Sequence, residues 1–72
     1  MVPDLNDPIW IRFINSDKEY DFTCLATKML YTRIKQLIRA KGEEGKQEAV
    51  KVVHEFFVKN SNIALKDLEL IK

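Results

Sequence analysis

Between Ile9 and Thr23, one turn at Ser16-Asp17 brings every cross-strand pair into a sensible register, which constrains the fold more than any other stretch. Folded there, Phe13 pairs with Tyr20 and Ile11 with Phe22 on one face, and Ile9 extends the same row. The other face sets Arg12 against Asp21, Ile14 against Glu19 and Trp10 against Thr23. One face is then wholly apolar and aromatic, while the other mixes charge with two large hydrophobes, and a slip by one residue destroys both patterns. Strand propensity is high through Ile9–Ile14, and Asn15-Ser16-Asp17-Lys18 supplies a polar turn, though without the glycine of a tight primed turn. The pattern predicts a β-hairpin.

From Thr23 the period changes from two to about 3.6. Leu25, Ala26, Met29, Leu30, Ile34, Leu37 and Ile38 form one stripe, Asp21 or Thr23 can cap its start, and Arg39, Lys41 and Gly42 give a basic last turn and a stop. A second helix begins with Glu43-Glu44-Gly45, acids at its positive end, and runs to Lys59 with Ala49, Val50, Val53, Phe56 and Phe57 as its buried face. Two antiparallel helices joined near Gly42 would cover the aromatic face of the hairpin. The tail, Ile63 to Ile71, satisfies two templates: a strand with Leu68 and Leu70 inward, or a helix capped by Ser61 or Asn62 with Ala64, Leu65, Leu68 and Ile71 on one face. A short third strand is the preferred reading, because an isolated two-stranded ribbon needs more cover. The expected architecture is an extended lead-in over residues 1–8, with its two prolines, and one α+β domain over 9–72.

The chain has 72 residues, and a domain of that size buries only about 60% of its unfolded surface, so a dimer or bound partner can supply part of the stability. Hydrophobic residues at 46% exclude a disordered chain, and a formal charge of +1 excludes a global field that would draw it onto nucleic acid or an anionic membrane. The lone cysteine, Cys24, excludes an internal disulfide and a cysteine-built zinc site. With no signal-peptide pattern at the start and no membrane-length apolar run, the expected location is the cytoplasm.

Little in the chain points to catalysis. Cys24 and His54 are the only thiol and imidazole, and no surrounding sequence makes them a nucleophile and base. Small buried cysteines and boundary histidines are the commoner use of such residues. Glu43-Glu44 suit a helix start, Asp67 and Glu69 form the other acidic pair, and Gly42 and Gly45 make no phosphate loop. No cofactor or metal is expected, and the chain reads as a non-enzyme.

The mixed face of the hairpin is the better candidate. Trp10 and Ile14 flank Arg12 there, and Trp and Arg are enriched at interface hot spots. Two accounts of that face stand together: a surface for another protein, or for a second copy as a homodimer, and a face closed by the lead-in or the tail. The first makes the chain a small interaction or regulatory protein binding through Trp10, Arg12 and Ile14. The alternative function is nucleic-acid binding through a basic row on the first helix, Lys28, Lys35 and Arg39 with Arg33 and Lys41 nearby, and Trp10 for stacking on a single strand. A helix-turn-helix is disfavoured because a helical tail would display Asp67 and Glu69 to the phosphates.

Overall fold

The computed structural model describes residues 2–71, which form four helices: α1 (Ile9–Asn15), α2 (Leu25–Lys41), α3 (Glu43–Lys59) and α4 (Ser61–Leu68). No strand occurs among the described residues, so the expected α+β fold is corrected to an all-helical one.

The hairpin fails because Ile9–Ile14 satisfies two periods. Ile9, Ile11 and Phe13 alternate as in a strand, but Ile9, Trp10, Phe13 and Ile14 also share one face of a helix, and this second set is the buried one. Ile11 is left 48% exposed. The segment's entry favours the helix: Pro8 has a helical φ of −61°, and the Asp7 carboxylate accepts the N–H of Ile9 at 2.9 Å. A proline in the first turn forfeits no bond, since the N–H it lacks would have no partner in the helix. Phe13 stacks on Phe22, with ring centroids 5.4 Å apart, instead of facing Tyr20, which is 89% exposed in the connection to α2.

The α2–α3 pair forms as expected, with Gly42 between the helices at a φ of +61°, a region that suits glycine. Gly45 lets α3 approach α2 closely: a Cβ there would stand 2.6 Å from the Leu37 carbonyl oxygen. The buried stripe of α2 is rotated from the expected one, running through Thr27, Leu30, Tyr31 and Ile34 and leaving Leu25 and Met29 70% and 65% exposed. The C-terminal strand is also corrected. Residues 61–68 are helical, Ala64 and Leu68 are buried on the face that the helical template gives, and Leu65 and Ile71 pack beside them. Asn60 makes the junction, its Nδ2 donating to the Phe56 carbonyl at 2.9 Å.

An aromatic core joins these elements. Phe13 meets Phe22, Tyr31 and Phe57, and Trp10 meets Phe57 and, edge to face, His54. Each such side chain contributes about 1.5–3 kcal/mol of burial. The lead-in is part of this packing, since Val2 lies against the core and the Asp4 carbonyl accepts the Trp10 indole N–H at 2.7 Å.

Candidate functional site

The proposed partner surface of Trp10, Arg12 and Ile14 dissolves in this fold. Trp10 and Ile14 are fully buried, and Arg12 alone of the three is exposed. In a helix the three cannot share one outward face as they do in a strand, because successive side chains turn by about 100°. Of the two accounts of Trp10, closure by the lead-in is the one the structure contains.

The basic residues of α2 divide between its two sides. Lys28, Lys35 and Arg39 line a groove with Glu19, Tyr20 and Tyr31, whereas Arg33 lines a different groove with Met29 and Phe56. Lys35 is engaged internally. Its Nζ donates to the Ile14 carbonyl at 2.9 Å, at the end of α1, and lies 4.9 Å from the centre of the Tyr31 ring. The Tyr31 hydroxyl donates to the Ser16 carbonyl beside it. These two side chains of α2 thus satisfy carbonyls in the last turn of the short helix α1 and at the residue just after it.

Asp67 is the functional-looking acid that turns out to hold the structure. The residue is 1% exposed, and its carboxylate accepts the N–H of Thr23 at 2.8 Å, the Thr23 hydroxyl at 2.9 Å and the N–H of Cys24 at 3.0 Å. It serves as a remote cap, supplied by α4 to the entry of α2, where a negative charge is also favoured by the helix dipole. Burial pushes its pKa up, but the Thr23 and Cys24 N–H groups and the Thr23 hydroxyl outweigh burial, holding the carboxyl below its ordinary 3.8. The buried Thr27 hydroxyl makes no hydrogen bond of ordinary geometry, yet is close enough to the same carboxylate to add to that effect. Both Asp67 oxygens are occupied by donors, which suits a clamp better than a general base. The Cys24 backbone belongs to this clamp, and His54 packs on Trp10. Among the described residues, no group of three or more His, Cys, Asp or Glu is placed to hold a metal ion, and no helix is long and apolar enough to cross a membrane.

Another surface feature is the groove between α2 and α3. Its upper part is lined by Ala26, Met29, Leu30 and Arg33 of α2 and by Phe56 of α3. It continues past Leu37 and Val52, between a rim bearing Arg33 and Gln36 and a rim bearing Glu48, Glu55 and Lys59. Glu48 pairs with Lys41 at 3.1 Å and Glu55 with Lys59 at 2.9 Å, whereas Arg33 makes no ion pair among the described residues. The expected stripe on α2 included Met29 as a core residue. It stands on this rim because Thr27 and Tyr31, on the other side of the stripe, are the ones buried.

No protein-family model matches the chain, and no curated protein or solved structure matches it.

Proposed function

We propose that this chain is a small non-enzymatic interaction protein that binds another protein through the α2–α3 groove. The observation that carries this reading is an apolar floor in which Leu37, Val52 and Phe56 are only partly covered, above the buried Leu30, and which is flanked by a Met29 that is 65% exposed. Apolar surface rimmed by polar residues is a mark of interaction sites, and an unbranched methionine adapts to a partner's shape. A reducing, cytoplasmic setting suits the single half-buried Cys24. The test is capture from the native cell by wild type and by Met29→Glu, an exposed substitution that spares the core. A partner retained by the wild type and lost with the variant supports the reading; a partner equally retained by both removes the groove from it.

A second reading, nucleic-acid binding, draws on the other side of α2. There the exposed Tyr20, rather than Trp10, is available for stacking beside Lys28 and Arg39. Two features oppose it: Lys35 already serves the Ile14 carbonyl, and Glu19 places in the same groove a covered carboxylate oxygen with no hydrogen-bond partner among the described residues. Retention on heparin or single-stranded DNA at low salt, lost when Lys28 and Arg39 are reversed to Glu, would favour this reading. Absence of retention would eliminate it.

A further inference from the structure

We infer that the occupant of the α2–α3 groove is a second copy of this chain, docked about a two-fold axis that runs along the groove. This rests on the groove being an interaction surface and goes further by naming what fills it.

A two-fold contact requires a patch that complements itself. The rims of this groove meet that requirement, because α2 brings Arg33, a cation with no ion pair among the described residues, and α3 brings Glu48 and Glu55, each held by one exposed lysine of its own copy, Lys41 and Lys59. With the axis along the groove, α2 of one copy lies over α3 of its partner at the same height. Gly42 alone joins the two helices, so residues at similar distances before and after it stand level. Met29 then lies over Phe56 of the other copy, a sulfur-to-ring contact, and Arg33, level with the stretch between the other copy's Glu48 and Glu55, stands about one turn from either carboxylate. An axis across the helices would instead lay α2 on α2 and α3 on α3, and Arg33 would then face no α3 carboxylate. The resulting four-helix layer would close the floor that each copy leaves open, in a chain too short to bury more than about 60% of its surface alone.

Sedimentation equilibrium of the full chain tests this. Wild type is expected to dimerise, and Met29→Glu to be monomeric with unchanged helical circular dichroism. Arg33→Glu and Glu55→Arg should each weaken self-association roughly tenfold or more, since a two-fold axis repeats every altered pair. An equimolar mixture of these two variants should recover near wild-type association, because both reversed pairs again join opposite charges. Only contact between copies gives that rescue. A wild type that stays monomeric to about 1 mM overturns the inference, as does a mixture no tighter than its components or a Met29→Glu dimer. Any of these leaves the wider interaction reading to the capture experiment, which fails separately if no partner depends on Met29.

Discussion

Replacing Asp67 by alanine removes, from one buried position, all three hydrogen bonds that tie α4 to the entry of α2. Hydrogen bonds to a charged group contribute about 1.5–3 kcal/mol and a helix cap about 1 kcal/mol; because the three share one carboxylate, we expect a combined loss of about 3 kcal/mol. At about 0.05–0.15 kcal/mol per residue, that is a large part of the stability of so small a domain. The melting temperature should fall by roughly 12–24 °C. Asp67→Asn keeps one acceptor oxygen and should lose about half as much. The effect must also depend on pH. Folding lowers the carboxyl's pKa below 3.8, so as pH falls the unfolded chain takes up a proton before the folded one does. The stabilisation is complete above the unfolded value and is lost as pH drops through the folded value. Urea titrations of wild type and Asp67→Asn, followed by circular dichroism at several pH values from neutral downward, should therefore converge in acid. Equal midpoints at neutral pH, or a gap that persists unchanged in acid, would refute the remote cap.

Trp10 emission should be strongly blue-shifted in the folded chain and move red on unfolding. Trp10→Ala should cost about 3–5 kcal/mol in urea titration; a variant as stable as wild type would contradict the core assignment. Gly45→Ala gains about 1 kcal/mol of helix propensity but forces a Cβ against the Leu37 carbonyl. Its net effect should be a loss of about 1–2 kcal/mol in urea titration, and stabilisation would count against the close α2–α3 approach. Lys35→Met keeps the side-chain stem and removes the donor to Ile14, so it should lower stability by about 1 kcal/mol, measured the same way.

Helices α2 and α3 were legible because each carries a long periodic stripe and the boundary between them is marked by Gly42 and two acids. The N-terminal segment was not, because α1 has only 7 residues, too few to separate a period of two from one of 3.6 when five of the first six are apolar or aromatic. The signal that decides it, Asp7-Pro8 as a cap and first-turn pair, lay in residues read as a lead-in. The tail's two templates differ in the fate of Asp67: a strand turns it outward, whereas a helix puts it beside Leu68 on the buried face. Its partners at Thr23 and Cys24 are far away in sequence, and no local pattern announces them. At the candidate site, helical geometry alone separates Arg33 from Lys28, Lys35 and Arg39. The exposure of Met29 depends on which flank of the α2 stripe Tyr31 and Thr27 claim, a choice made by packing against Phe13 and Phe22.

The most direct test of self-association through the α2–α3 groove is a dilution series of isotopically labelled protein followed by backbone amide NMR shifts. We predict concentration-dependent shifts gathered at Met29, Arg33, Val52 and Phe56, with Arg12 and Tyr20 unmoved. Shifts gathered at Tyr20, Lys28 and Arg39 instead, or a spectrum that does not change with concentration, would contradict self-association through the groove.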